Sequence, residues 1–171
     1  MAAALTAALI SCGGDAGTKE DPLFRDFWVI DNTKNYITDS TAWYTINAKR
    51  RAVSSHAVVY VDVDRPEVTD AIASNLAAEF DAVIYPRVTQ TFAHHYDVDG
   101  NGRVILLVYD IRDELYYDPF AGYYIGGYFF SVDYYSDESV RQAYPAMHSN
   151  ESDLVYIDCD PQNTADVDAK R

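Results

Sequence analysis

The 171-residue sequence has few cysteines and little positive charge. Its two cysteines, Cys12 and Cys159, exclude a framework of several disulfides. Thirteen Lys and Arg residues stand against 27 Asp and Glu residues, for a formal net charge of -14. Such a surface repels nucleic-acid phosphates and anionic lipid head groups. The composition therefore argues against nucleic-acid binding and electrostatic membrane docking, and it favours cationic partners.

The N-terminus lacks a hydrophobic run long enough to cross a bilayer. Residues 1–11 are apolar and small, but as a helix they would rise only about 16 Å, against about 30 Å for the hydrocarbon core. We interpret them as the hydrophobic region of a signal peptide, although no basic segment precedes them. The alternative is an Ala-rich N-terminus without a targeting role.

The segment after the apolar run predicts a lipid anchor. Residues 9–12, Leu-Ile-Ser-Cys, resemble a bacterial lipobox, which implies that Cys12 is lipidated and that the protein sits on the bacterial cell envelope, outside the cytoplasm. Residues 12–22 are rich in Gly and charge and predict a flexible tether. The folded domain is expected over residues 23–171, and Cys159 is expected to be a buried free thiol.

Hydrophobic residues make up 49% of the chain, which is enough for a packed core. Continuous apolar runs at 56–63 and 103–109 predict central strands that are covered on both faces. Further strands are predicted at 27–30, 41–49, 123–130 and 154–158.

Between the two central strands, apolar residues recur every four positions from Val68 to Val88 and predict a long helix over residues 67–92. Pro86 predicts a kink or break near Tyr85, because proline has no backbone N–H. Strand, helix and strand in this order predict a parallel crossover. The fold class is therefore α/β, with a mixed twisted sheet of about five strands, one long backing helix and an edge strand or hairpin.

The sharpest local motif is DVDGNGR at residues 97–103, which matches the start of a calcium loop. Oxygen ligands are expected at its positions 1, 3 and 5, and a glycine at position 6 allows the sharp turn. Position 12 is Val108 rather than Glu, so the loop is not an EF-hand. The candidate calcium ligands are Asp97, Asp99, Asn101, Arg103 and Asp110. The alternative is an Asx-rich turn that needs no ion.

Half of the twenty residues from 116 to 135 are aromatic. Tyrosine offers a large contact area and a polar tip, so an edge strand here would suit a peptide or glycan groove. The alternative is that the rings pack against the sheet. The candidate contact residues are Gly122, Tyr123, Tyr124, Tyr128 and Phe130.

No complete catalytic motif is present in the sequence. The four histidines are His56, His94, His95 and His148, and no H-E-x-x-H, G-x-S-x-G, P-loop or C-x-x-C occurs. The residues therefore identify no catalytic group and no zinc ligand.

Four segments together carry a family resemblance: FDAVIYPRV, DVDGNGRVILLVYDI, the stretch from Ala121 to Tyr123, and NESDLVYIDCDP. Over roughly residues 24–160 the chain resembles the N-terminal half of the hyicolysin-type zinc metallopeptidase domain. The resemblance implies a zincin-like subdomain whose edge strand, around residues 122–130, lines the substrate cleft. In that family a helix bearing H-E-x-x-H follows shortly after the strand that corresponds to residues 154–158.

This family resemblance implies that the sequence ends before the zinc-bearing helix. Zinc is then expected only if an H-E-x-x-H segment lies downstream in the full-length protein, and the active-site half of the domain becomes the expected partner. The function expected is that of an extracytoplasmic lipoprotein derived from a metallopeptidase, with no hydrolysis by this chain alone. The alternatives are a calcium-stabilised surface module that binds peptide or glycan through its tyrosine-rich face, and a structural lipoprotein without a ligand.

Overall fold

The computed structural model describes residues 21–160, and these fold around one six-stranded mixed sheet. The predicted signal region at 1–11 and Cys12 lie outside the described residues, as does most of the predicted tether. The strands are β1 (Phe24–Ile30), β2 (Trp43–Val53), β3 (Ala57–Asp62), β4 (Val104–Tyr109), β5 (Gly127–Phe129) and β6 (Leu154–Asp158).

The spatial order of the strands is β1-β2-β3-β4-β6-β5. Strand β4 runs parallel to β3 and to β6, and the other neighbouring pairs are antiparallel. Each of its six strands overlaps one of the six strand segments predicted from the sequence. The α/β class, the mixed sheet and the parallel crossover from β3 to β4 are confirmed, and this architecture is compatible with a zincin-like N-terminal subdomain.

The two central strands, β3 and β4, consist mainly of apolar residues. Every residue of β3 and of β4 is buried, as their continuous apolar runs predicted. The edge strands β1 and β5 instead contain exposed or half-buried residues. The hydrophobic pattern therefore places β3 and β4 in the middle of the sheet.

The long helix is divided into three parts. Helix α1 (Asp70–Glu79) begins after Thr69, whose side chain accepts a hydrogen bond from the N–H of Ile72. A π-helical turn, Phe80–Ile84, follows, and α2 (Tyr85–Thr91) continues the path. The predicted break near Tyr85 takes the form of this π turn. Since Pro86 has no N–H to donate to Ala82, one wide turn lets the chain pass the proline and remain helical.

Two short helices, α3 (Glu114–Tyr117) and α4 (Asp137–Ala143), were not predicted from the sequence. Both begin with a side-chain cap, from Asp113 and Ser136 respectively. Among the helices of residues 21–160, none is long and apolar enough to span a membrane.

The two faces of the sheet are covered differently. One face packs large rings, including Phe27, Tyr60, Tyr109 and Tyr156, into a buried core. On the other face α1 packs against β2 and β3. Beyond α1 lies an open, mostly apolar groove, called here the apolar groove. Its lining includes Leu76, Ile84, Val88, Leu106, Phe129, Val155 and Ile157.

Candidate edge-strand site

Strand β5 forms one edge of the sheet. It pairs only with β6, so within residues 21–160 its outer edge has no strand partner. The carbonyl of Gly126 accepts a hydrogen bond from the N–H of Asp158 at 3.1 Å. Because peptide groups alternate in direction along a strand, those of Gly127 and Phe129 point to the free edge. An extended peptide can therefore add to the sheet here.

Gly127 makes the close approach between β5 and β6 possible. A Cβ atom on this residue would lie 2.7 Å from the carbonyl oxygen of Tyr156. The close approach of the two backbones therefore requires glycine at this position. At Gly122, in contrast, an added Cβ would meet no atom within 4 Å.

Three of the five predicted cleft residues lie before the strand rather than in it. Gly122, Tyr123 and Tyr124 belong to a loop, because β6 ends at Asp158 and offers no partner to residues before Gly126. The strand predicted over residues 123–130 is thus corrected to Gly127–Phe129. The loop leaves Tyr123 65% exposed and Tyr124 41% exposed, so both rings remain accessible to a ligand.

The other two predicted cleft residues face the protein interior. Tyr128 stacks on Tyr156 with ring centroids 4.4 Å apart, and its hydroxyl lies 3.0 Å from that of Tyr109. Burial raises the pKa of Tyr128, so it stays a neutral phenol. Phe130 contacts Tyr36 and Trp43. Tyr128 and Phe130 therefore pack against the core, as the alternative interpretation of the aromatic segment expected.

A buried carboxyl group holds the strand beside β5 in place. Asp133 is fully buried and accepts hydrogen bonds from the Tyr156 hydroxyl and the Asn150 N–H, both at 2.7 Å. Burial raises its pKa to about 6, although these bonds oppose the rise. The Asn150 side chain also bonds to both backbone groups of Trp28 in β1. Asp133 therefore links the β6 side of the sheet, through Asn150, to its opposite edge, a role that no sequence pattern indicated.

The acidic loop brings together a different set of residues from the one predicted. Carboxylate oxygens of Asp97, Asp99 and Asp153 lie within 4.8 Å of one another. Asp153 is buried, and its two oxygens also accept hydrogen bonds from the N–H groups of Tyr96 and Val98. Asp153 was not among the predicted ligands, because it is distant in sequence and reaches the loop only through the start of β6.

Asn101 and Arg103 serve the turn itself. The Asn101 side-chain oxygen accepts from the N–H of Arg103 at 2.7 Å, and its amide group donates to Asp99 and Asp21. The Arg103 guanidinium donates to the carbonyl oxygens of Ser54 and Asn101. These bonds are those of an Asx-rich turn, the alternative that the sequence left open.

Asp110 does not belong to the acidic loop. The loop precedes β4 and Asp110 follows it, so the length of the strand, about 20 Å, separates them. Asp110 instead forms an ion pair with Arg65. Of the predicted calcium ligands, the structure therefore places Asp110 away from the loop, and it brings Asp153 next to Asp97 and Asp99.

The histidines of the described chain do not form a zinc site. His56 stacks on Tyr85 at 4.0 Å, and His94 lies 3.3 Å from the Tyr85 hydroxyl. His148 stacks on Trp28 of β1 at 3.6 Å, whereas His56, His94 and His95 lie around Tyr85. In residues 21–160 only the Asp97, Asp99 and Asp153 group brings three metal-binding side chains together. Three carboxylates suit a hard cation such as calcium rather than zinc, which prefers nitrogen and sulfur ligands.

Comparison with known proteins supplies a relative for this fold. The chain is 37% identical over 99 residues to the neutral metalloprotease ShpI of Staphylococcus hyicus, and this stretch covers 58% of the chain. The chain spans about one fifth of that relative's length, 20%. No family model matches the sequence. The sequence identity shows a metallopeptidase-like relationship, and the α/β architecture is compatible with it.

Proposed function

We propose that residues 21–160 form the N-terminal subdomain of a zinc metallopeptidase domain of the hyicolysin type, with β5 as the edge of its substrate cleft. The similarity to a neutral metalloprotease carries this proposal. The free edge of β5 supports it, because unpaired peptide groups can bind an extended substrate.

The partner that completes the site is proposed to be the active-site half of the domain, docked in the apolar groove. The groove exposes Phe129 and Val88 by 51% and 46%, and it continues over Leu106 and Ile157. An amphipathic helix laid there would bury this surface against its own apolar side chains. The zinc ligands would come from that half, since residues 21–160 do not group ligands that suit zinc.

Zinc content and proteolysis test the proposal. The 171-residue chain is expected to bind no stoichiometric zinc and to leave casein intact. A polypeptide extended by downstream coding sequence with H-E-x-x-H is expected to bind one zinc and to cleave casein. One equivalent of tightly held zinc in the 171-residue chain, or an extended protein without zinc, would contradict the proposal.

The alternative function is a non-catalytic surface module that binds peptide or glycan. The exposure of Phe120, Tyr123 and Tyr117 favours it, because exposed rings provide contact area for a ligand. Calcium bound by Asp97, Asp99 and Asp153 would stabilise such a module. A stop codon directly after the sequence, together with a monomeric and cooperatively unfolding chain, would favour this alternative over the peptidase.

The location proposed for the protein is the bacterial cell envelope, with Cys12 as the lipidated residue. The support is the sequence around Cys12 alone. Expression in a bacterium that processes lipoproteins should give a species that partitions into detergent. Cys12→Ser should release the protein or leave the precursor uncleaved, whereas equal partitioning of both forms would remove the proposal.

A further inference from the structure

The loop before β5 holds aromatic side chains in solvent. Phe120 is 91% exposed, Tyr123 65% and Tyr117 55%. We call residues 114–124 the aromatic loop. Single exposed rings are common on protein surfaces, but several on one loop beside a free strand edge provide contact area for a ligand.

The base of the aromatic loop is rigid. The Asp113 carboxylate accepts hydrogen bonds from the N–H groups of Tyr116 at 3.1 Å and Ile125 at 2.6 Å, so it ties the two ends together. The Asp118 carboxylate accepts from the N–H of Phe120 at 2.9 Å. The Tyr117 hydroxyl donates to Asp31 at 2.7 Å. A ligand therefore meets rings whose backbone is already ordered, which lowers the entropy cost of binding.

A cleft beside the loop has more negative than positive charge. Its lining comprises Arg65, Asp110, Leu115, Tyr116, Pro119 and Asp160, and Arg65 forms an ion pair with Asp110. Burial raises the pKa of Asp110 and repulsion from Asp160 adds to the rise, although Arg65 opposes it. In the part of the chain that the structure describes, Asp160 has no ion-pair partner, and the same holds for Glu114 and Asp118 on the loop. Since Arg65 balances Asp110, the charge that attracts a cation here is that of Asp160, with Glu114 and Asp118 on the loop beside it.

The shape of the cleft favours a cationic side chain over a metal ion. Among residues 21–160, the carboxylates of this cleft do not come within 4.8 Å of one another as a group of three. The Tyr116 ring and Pro119 instead provide an apolar wall for the stem of a Lys or Arg side chain, with the Asp160 carboxylate at its charged end.

The direction of β5 determines which part of a bound peptide reaches the loop. A peptide paired antiparallel to β5 runs parallel to β6, so its C-terminal residues leave the sheet where β6 ends at Asp158. Gly126 and the aromatic loop lie at that end. We propose that the aromatic loop and its cleft bind the residues on the C-terminal side of an extended peptide and select a Lys or Arg followed by an apolar residue. This inference rests on the proposed function of β5 as the cleft edge.

Peptide binding to the 171-residue chain tests this selection. The probe is a fluorescein-labelled octapeptide with two Val-Thr repeats followed by Ala-Arg-Phe-Ala, and fluorescence anisotropy gives its affinity. It should bind at least about tenfold more tightly than the same peptide with Glu in place of Arg. Phe120→Ala and Asp160→Asn should each weaken binding about tenfold. Phe92→Ala, a matched control that is 82% exposed just after α2, should not.

The outcomes separate this inference from the proposed function. Equal affinity for the Arg and Glu peptides, or no effect of Phe120→Ala, overturns the selection by the loop and leaves β5 as a cleft edge. Another outcome is binding that requires Phe120 and yet is unaffected when the Val and Thr amides of the peptide are N-methylated. That result would support ligand contact with the aromatic loop and would contradict pairing of the peptide with β5. No binding of any peptide up to about 1 mM overturns the loop inference, whereas the zinc and casein test decides the proposed function.

Discussion

At the residue scale, buried carboxyl groups join parts of the chain that are far apart in sequence. Asp133 bonds to Tyr156 and Asn150, and Asp158 accepts from the N–H of Ile111. Burial raises the pKa of both carboxyl groups to about 6. Each is therefore easier to protonate in the folded chain than in the unfolded one, where the value is 3.8. This difference makes stability depend on pH.

Asp133→Asn should reduce that pH dependence. Because the folded-state pKa lies above the unfolded value, the folded protein gains stability as the pH falls from about 6 to about 4. The gain is at most about 3 kcal/mol for each group. Asparagine resembles the protonated acid and does not titrate, so the variant should lose about half of the gain, while Asp158 keeps the rest. Urea unfolding at pH 4.5 and pH 7 gives the free energy of unfolding at each pH. If the difference between the two values is the same in the variant as in the unmutated chain, the prediction is wrong.

Gly127→Ala should loosen the edge strand. The new Cβ would meet the Tyr156 carbonyl oxygen at 2.7 Å, and backbone on both strands would have to shift. Overpacking of this kind costs about 1–3 kcal/mol. Gly122→Ala is the matched control, because a Cβ there meets nothing within 4 Å. Chemical unfolding of both variants gives the comparison, and equal stabilities would argue against a close contact at Gly127.

At the element scale, the pattern of apolar residues predicted most of the secondary structure. The continuous runs of β3 and β4 and the helical spacing from Val68 to Val88 were sufficient, because long periodic segments carry a strong signal. Helix α4 was missed since it has seven residues, of which only Val140 is buried. The length of β5 was overestimated from its aromatic residues. The strand extends only as far as β6 offers backbone partners, which is from Gly127 to Phe129.

The grouping of carboxylates at the acidic loop depends on tertiary structure. The motif identified Asp97 and Asp99, but Asp153 reaches them from the start of β6 and no local spacing reveals it. The misplacement of Asp110 has the same origin. A residue one strand length away along the chain is near in sequence and distant in space.

Calcium should stabilise the chain if the three carboxylates bind it. A ligand that binds only the folded state adds about 2.7 kcal/mol to the free energy of unfolding at 100 times its dissociation constant. Asp97→Ala combined with Asp99→Ala should abolish the gain. Asp118→Ala, which removes an acid from another Asx turn, should retain it. Thermal unfolding with calcium and with chelator provides the measurement, and coinciding midpoints for the unmutated chain would identify an ordinary turn.

At the scale of the whole molecule, the two faces of the sheet have different roles. The face with Tyr60, Tyr109 and Tyr156 is buried and closed by polar contacts, whereas the apolar groove on the α1 side stays open. The sequence predicted the sheet and its backing helix. Which part of the sheet α1 leaves uncovered depends on how the helix packs across β2 and β3, and local sequence does not determine this.

The open groove should make the 171-residue chain self-associate. Phe129 exposes 51% of its surface there, next to Val155 and Ile157, and water contact with such a patch is unfavourable. Phe129→Lys places a charge in the groove and should reduce both light scattering and binding of a hydrophobic dye. Val53→Lys is the matched control, because Val53 is 49% exposed at the end of β2 and does not line the groove. A monodisperse unmutated chain that binds no dye would show that the groove needs no partner, and it would contradict the docking of an active-site helix there.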